Sequence, residues 1–193
     1  MMPDDKLILT EAFVSRSDAV KNRALLLETA QRLFTQQGVN DVTMSAIAEA
    51  AGVGKGTLYR HFENKLELTL ALLDEDQRLL QMRTLEYLRQ SDDDRESLKW
   101  FVNEVLGFVD RNSQLLCVNA KTTGSLEVQA HWWWRQTIYG LLNKISPENN
   151  NTFVADALYV LLDVHNIYFL RTTRGYGVED IRQNLLNMIN RLV

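Results

Sequence analysis

Residues 43 to 65 place basic, polar and aromatic side chains at helical spacing around a glycine turn. Thr43 can cap a first short helix, and Gly52 stands where the turn needs a positive φ. A second short helix follows, with Leu58 on its buried side. Its outward side carries Lys55, Gly56, Thr57, Tyr59, Arg60 and His61. This pattern predicts a helix-turn-helix whose second helix enters the major groove of DNA.

The outward side chains of the second helix are of types that bind nucleic acids. Lys55 and Arg60 can contact phosphates or guanine edges, and Gly56 lets the backbone approach the groove. The alternative is a two-helix corner of an ordinary helical protein. We favour DNA binding because the basic and aromatic residues share one face.

The same residues carry a resemblance to a known family. The run from Thr43 to Val53, followed by Lys55-Gly-Thr-Leu-Tyr-Arg-His-Phe and Lys65, resembles the DNA-binding domain of TetR/AcrR transcription regulators over residues 25–73. The resemblance implies that Lys55, Gly56 and Tyr59 approach bases. It implies phosphate contacts for Thr43, Ser45, Thr57, Arg60, His61 and Lys65. Gly54 departs from the family pattern, which usually has serine or threonine at this cap position.

Composition restricts the class of protein further. The 193 residues include only two prolines and nine glycines, and apolar residues recur at helical spacing, so we expect an all-α fold. The single cysteine, Cys117, excludes an intramolecular disulfide and fits a reducing cytoplasm. No signal peptide or membrane-spanning run is visible, so we expect a cytoplasmic protein without a membrane partner. The formal net charge is −4, yet residues 16–65 hold seven Lys/Arg against five Asp/Glu.

The pattern of helices predicts three parts. Residues 1–18 form an N-terminal extension that we expect to be loosely ordered or partly helical. Residues 19–65 form a three-helix DNA-binding domain. A long helix, capped by Glu63 or Asn64 and ending near Gln90, joins it to a helical bundle for dimerisation and ligand binding, residues 66–193.

Two C-terminal helices predict a homodimer. A single helix expected over residues 152–172 is apolar around most of its circumference, whereas the final helix has one apolar stripe. The alternative is a central helix of a monomeric bundle. A dimer also suits a helix-turn-helix, since two heads can read a palindrome. The predicted interface residues are Val160, Val164, Ile167, Ile181, Leu185 and Met188.

Aromatic residues in the C-terminal part suggest a ligand pocket. Trp132, Trp133 and Trp134 fan out by 100° each on a helix, so only Trp134 should face the core. The predicted lining of an apolar pocket is Phe101, Val105, Phe108, His131, Trp133, Trp134 and His165. Aromatic filling between helices is the alternative, and His165 alone could be a hydrogen-bonded core residue. His131, His165 and Cys117 lack metal-ligand spacing, so we expect no metal and no cofactor.

These features together favour a homodimeric transcription regulator, interpreted as a repressor that a small hydrophobic or aromatic ligand releases from a palindromic operator. One rival keeps DNA binding but has no inducer, or activates transcription. Another is a helical-bundle enzyme or carrier. We expect that the protein is not an enzyme, because its sequence offers no nucleophile–base pair, no residues at metal-ligand spacing and no phosphate-binding loop.

Overall fold

The computed structural model describes residues 5–123 and 129–192, and side chains over 18–118 and 132–192. Every regular element in these ranges is a helix, which confirms the all-α prediction. The helices are α1 Asp5–Gln37, α2 Met44–Ala50, α3 Lys55–His61, α4 Lys65–Gln90, α5 Asp94–Arg111, α6 Ser113–Thr123, α7 Gln129–Ile145, α8 Asn151–Leu161, α9 Val164–Thr172 and α10 Val178–Leu192.

The described chain forms two compact units, which we call the head unit (residues 1–72) and the body unit (residues 73–193). Their boundary falls within α4, so one helix contributes residues to both. The narrower assignment of residues 19–65 to DNA binding and 66–193 to dimerisation and ligand binding stays a prediction.

Helix α1 is longer than expected. We predicted that residues 1–18 are loosely ordered or partly helical, and α1 already begins at Asp5. The correction has a local reason: residues 5–37 contain neither glycine nor proline to interrupt the helix. Gly38, at φ 87°, ends it, and its N–H donates to the Phe34 carbonyl at 2.9 Å.

Helix α5 lies at the centre of the body unit. It packs against α6, α7, α9 and α10, while α7 also packs against α8. Asp93 caps its first turn by accepting hydrogen bonds from the N–H groups of Arg95 and Glu96. The residues of its buried face include Leu98, Phe101, Val102, Val105, Leu106, Phe108 and Val109. This helix therefore fixes where the aromatic side chains of α7 can lie.

The helix predicted over residues 152–172 is broken. Asp163 has an extended backbone, φ −63° and ψ 140°, and its side chain accepts from the His165 N–H as the cap of α9. The cap ends the helical run because Asp163 competes with the continuing backbone hydrogen bonds. Within the described ranges no single helix is long and apolar enough to cross a membrane. Helices α8 and α9 pass that test only when joined across a bend of 56°.

Candidate nucleic-acid interface and apolar ligand region

The first motif helix, α2, is held by its cap and by the turn after it. Thr43 Oγ1 accepts a hydrogen bond from the Ala46 N–H at 3.1 Å, as the sequence predicted. Ile47 and Ala48 are fully buried. Gly52 has φ 68°, a conformation that costs glycine little, and it turns the chain toward α3. Together these features fix where the second helix starts.

The second motif helix, α3, buries one side and exposes the other. Leu58 and the C-cap residue Phe62 are buried, so the residues between them turn outward. Lys55, Gly56 and Arg60 are exposed, and Tyr59 leaves 51% of its surface exposed. Thr57 and His61 are half-buried. The six predicted outward residues therefore reach solvent on one short helix, which we call the recognition surface.

Two of the predicted phosphate contacts are already hydrogen-bonded to each other. Arg60 Nη2 donates to Thr57 Oγ1 at 3.1 Å, which holds the guanidinium beside the helix. Thr43 is exposed and Ser45 is half-buried on α2. These side chains lie next to the recognition surface in sequence and remain predicted DNA contacts.

Lys65 has a structural partner that the sequence did not indicate. Its Nζ donates to the Asn40 carbonyl at 3.2 Å and lies 6.0 Å from the centre of the Phe34 ring. Partial burial lowers the pKa of Lys65, and the charge of Asp41 partly offsets that effect. Lys65 therefore links the turn after α1 to the start of α4, in addition to its predicted phosphate contact.

The start of α4 carries a reciprocal cap. Asn64 Oδ1 accepts from the Glu67 N–H at 2.9 Å, and the Glu67 carboxylate accepts from the Glu63 N–H. Between the two caps considered from the sequence, Asn64 or Glu63, the structure selects Asn64. The Arg23 guanidinium lies 5.4 Å from the centre of the Phe62 ring, so a cation–π contact joins α1 to the segment between α3 and α4.

Five of the seven predicted pocket residues come together in the body unit. Phe101, Val105, Phe108 and Trp134 are buried, and Trp133 is half-buried. Phe101 meets Trp133 edge to face at 5.4 Å between ring centres, and Phe108 meets Trp134 at the same distance. As predicted, Trp134 faces the core and Trp132 is exposed. The rings pack against one another as T-shaped pairs, and their role in binding a ligand remains a prediction.

The two histidines predicted for the pocket differ in outcome. His165 was expected on an apolar stripe, but the break at Asp163 places it in the first turn of α9, with 55% of its side chain exposed. Its Nδ1 lies 3.2 Å from Asp163 Oδ1. His165 is therefore corrected from a core or pocket position to a surface position. The side chain of His131 lies outside the described residues.

Gln77 is a polar residue of this region that the sequence analysis missed. Trp134 Nε1 donates to Gln77 Oε1 at 3.2 Å, and Gln77 is only 6% exposed. A signal was present in the sequence, because Leu73, Gln77, Leu80 and Thr84 follow one another on a single inward stripe of α4. A polar residue within such a stripe is expected to have a buried partner.

The predicted dimer interface needs correction. Val164 and Ile167 are 3% and 2% exposed, and Ile181 and Leu185 are also buried within the chain itself. The break before α9 turns Val164 and Ile167 into the core. Val160 remains exposed, and Met188 is half-buried.

A different set of apolar side chains on the C-terminal helices is exposed to solvent. One of them, Tyr176, also lines a cavity of about 230 Å³, together with Leu161, Leu170, Ile181, Leu185 and Met188. We call this set the C-terminal apolar surface: Phe153, Val160, Tyr168, Phe169, Tyr176 and Leu192.

No group of three or more metal-ligating side chains was found among the described residues. Cys117, the single cysteine of the chain, is half-buried on α6.

Comparison with known proteins agrees with this architecture. The family described as "Bacterial regulatory proteins, tetR family" matches residues 26–72. An HTH-type transcriptional regulator of Staphylococcus aureus strain bovine RF122 is 30% identical over 178 residues, covering 90% of this chain and 95% of that protein.

Solved structures show the same fold along most of the chain. A putative transcriptional regulator from Saccharomonospora viridis, crystallised in complex with choline, has a TM-score of 0.74 and 25% identity. The match covers 89% of this chain and 96% of that one. A TetR-family regulator from Pectobacterium atrosepticum has a TM-score of 0.72 and 18% identity. That match covers 92% of this chain and 95% of the other.

A helix-turn-helix head followed by an all-helical body defines a DNA-binding transcription regulator. The chain belongs to the TetR family of bacterial transcription regulators. It is accordingly a regulator and not an enzyme.

Proposed function

We propose that this regulator is a homodimeric repressor, acting in the cytoplasm, which a small apolar or aromatic ligand releases from a palindromic operator. The DNA-binding part of this proposal rests on the recognition surface. An exposed tyrosine and two exposed cations on a helix of seven residues are held outward by the burial of Leu58. Exposed cations and an exposed aromatic ring on one short helix suit a DNA groove.

The proposed contacts with DNA, on the recognition surface and beside it, are of two kinds. Lys55, Gly56 and Tyr59 occupy the side proposed to approach base edges, which carry the sequence information. The phosphate contacts are proposed for Thr43, Ser45, Thr57, Arg60, His61 and Lys65. Phosphate contacts set affinity and register without discriminating between sequences.

The proposed dimer supplies the second recognition helix. One short helix makes few contacts, whereas two heads related by a two-fold axis can read two half-sites about one helical turn of DNA apart. The C-terminal apolar surface supports the dimer, because large exposed apolar patches on soluble proteins commonly mark interaction sites. In this proposal it replaces the buried residues Val164 and Ile167.

The proposed release is a population shift. A ligand bound between the helices of the body unit favours a dimer whose heads no longer fit successive grooves, and it can do so only by binding that arrangement more tightly. The paired rings of Phe101, Phe108, Trp133 and Trp134 support an apolar or flat aromatic ligand. The choline bound to the Saccharomonospora regulator supports a small organic molecule as the class of ligand.

Anisotropy titration of the full-length protein on a labelled duplex from upstream of its own gene tests the DNA-binding half. If the dimer neutralises about six to ten phosphates, log K against log[salt] has a slope of about −5 to −9. Unchanged affinity between low and physiological salt would contradict it. The matched control is a scrambled duplex of equal length.

The proposed release by a ligand is tested with a panel of small molecules, each first assayed for its effect on the melting temperature of the protein. Compounds that raise the melting temperature are then added to the protein–DNA complex, and release is expected for at least one flat aromatic compound. Choline is included as a cationic comparison. A panel without any thermal shift or release favours the rival regulator that has no small-molecule inducer.

A further inference from the structure

Gln77 combines deep burial with an incomplete set of hydrogen bonds. It lies on α4 within the body unit and is 6% exposed. Within the described part of the chain its Nε2 is buried and has no hydrogen-bond partner. Buried amide N–H groups are nearly always paired, because leaving them unpaired costs free energy. The unpaired donor therefore marks a position where a hydrogen-bond acceptor is missing.

The orientation of the Gln77 amide follows from its neighbour. The indole Nε1–H of Trp134 can only donate, so the oxygen of Gln77 must face it, and the two atoms are 3.2 Å apart. The Nε2 group is consequently the end that lacks a partner. Rotating the amide would place two donors against each other, so the structure does not remove the unpaired group that way.

The surroundings of Gln77 are aromatic. Trp134 contacts Phe108 edge to face at 5.4 Å between ring centres, and both side chains are buried. Apolar ligand sites are lined mainly by apolar and aromatic side chains, with a few buried polar groups that orient the ligand, and Gln77 Nε2 beside these rings is such a group.

We propose that Gln77 is the polar anchor of the effector site, and that its Nε2 donates to a carbonyl, carboxylate or ether oxygen on an otherwise flat, apolar ligand. This inference rests on the proposed release by a ligand and narrows its chemistry. A pure hydrocarbon leaves Nε2 unpaired and binds more weakly. A cationic group without an acceptor has no partner at this position.

The place of Gln77 on α4 links the anchor to the regulated helix. The preceding residue, Asp76, accepts a hydrogen bond from Asn112 Nδ2, and Asn112 is itself buried at the end of α5. Two consecutive residues of α4 are thus held by polar contacts from α5 and α7. A ligand that pairs with Gln77 acts directly on α4, the helix whose first residues follow the recognition helix in the chain.

Acetophenone and ethylbenzene form a matched pair of probes, because they share a carbon skeleton and differ in the carbonyl oxygen. Their dissociation constants for the full-length protein are measured from shifts of the tryptophan indole N–H signals in ¹H–¹⁵N spectra. We expect acetophenone to bind about three- to tenfold more tightly, the advantage of one net hydrogen bond. It should also move the Gln77 Nε2 signals, which Gln77→Leu identifies by their loss.

Gln77→Leu should abolish the advantage of acetophenone, whereas Gln183→Leu, which removes an exposed glutamine on α10, should retain it. Gln77→Met is the second variant if Gln77→Leu does not fold, since it keeps an unbranched side chain of similar length and still removes the amide donor. Any one of four results would overturn the assignment of Gln77. The wild type binds both probes equally, it binds neither probe, the Nε2 signals do not move, or the advantage of acetophenone survives Gln77→Leu. Release from DNA by other compounds of the ligand panel would leave the proposed function standing in every such case.

Discussion

Lys55 and Tyr59 differ from His61 and Lys65 in the contact with DNA that we propose for each side chain. The first pair lies on the exposed outer side of α3, whereas His61 is half-buried and Lys65 is tied to Asn40. The sequence could predict the outward residues because the facing of a seven-residue helix follows from its buried leucine alone. It could not predict the Lys65–Asn40 contact, which joins residues 25 positions apart.

Substitutions of the proposed DNA contacts should therefore fall into two groups. Lys55→Ala and Tyr59→Ala should each weaken operator binding by about 1–3 kcal/mol and blur the discrimination between operator variants. His61→Ala and Lys65→Ala should weaken all sequences similarly, and Lys65→Ala should lower the salt slope by about 1 per protomer. Anisotropy titrations across a set of single-base operator variants measure both effects. Equal loss of discrimination in all four variants would remove the distinction between base and phosphate contacts.

Tyr159 gives a residue-scale prediction about pH. Burial, with a smaller contribution from the negative charge of Asp163, raises the pKa of its phenol to about 12. Because the folded-state pKa is above the ordinary value near 10, the associated stability is fully present below about pH 10 and is lost as pH rises toward 12. Absorbance at the phenolate band should show one late-titrating tyrosine that disappears in Tyr159→Phe. Tyr168→Phe, an exposed residue, is the control and should leave the late step in place.

The two glycines that precede α3, Gly52 and Gly54, differ in backbone conformation. Gly52 has a positive φ of 68°, whereas Gly54 has φ −66° and caps α3 without a side-chain hydrogen bond. A Cβ added at either position meets no atom within 4 Å. The difference between them is therefore one of backbone conformation and capping alone.

Gly54→Ser should stabilise the protein by a few tenths of a kcal/mol, because a serine hydroxyl can accept an N–H of the first turn of α3. Gly52→Ala should destabilise it by about 1–2 kcal/mol, the cost of a left-handed conformation for a residue with a Cβ. Chemical denaturation of the two variants and the wild type measures both changes. A stabilising Gly52→Ala would show that the turn relaxes to another conformation.

The break between α8 and α9 shows where the sequence pattern was insufficient. Apolar periodicity predicted one helix across residues 152–172, and both flanking segments are indeed helical. The interruption depends on Asp163, whose carboxylate accepts the His165 N–H instead of remaining on a solvent-exposed side of a continuous helix. Periodicity reports which residues are apolar, but it does not report when a short polar side chain will cap a new helix.

At the scale of the whole molecule, fold class and motif were predictable because they depend on local pattern. The helix-turn-helix, its cap at Thr43 and its turn at Gly52 need only neighbouring residues. The contacts of Gln77 with Trp134, 57 positions apart, and the burial of Ile167 depend on how distant helices pack. The sequence indicates only that a helix has a stripe of inward-facing residues, and it does not show which distant residues that stripe contacts.

The proposed recognition of a palindrome depends on the dimer. Val160→Asp combined with Phe169→Asp places two carboxylates on the C-terminal apolar surface, where both side chains are now exposed. Burying an unpaired carboxylate in an apolar interface costs several kcal/mol, so this variant should sediment as a folded monomer. Ile167→Asp should instead unfold the protein, because Ile167 is 2% exposed within a single chain.

Leu79→Asp on α4 is the matched control, since Leu79 is an exposed leucine outside the C-terminal helices, and this variant should remain a dimer. Sedimentation velocity gives the oligomeric state and circular dichroism confirms folding. The folded monomer should retain weak, salt-dependent DNA binding but lose its preference for a palindrome over a single half-site, because that preference needs two heads held on one two-fold axis. A double variant that still sediments as a dimer would place the interface elsewhere on the chain.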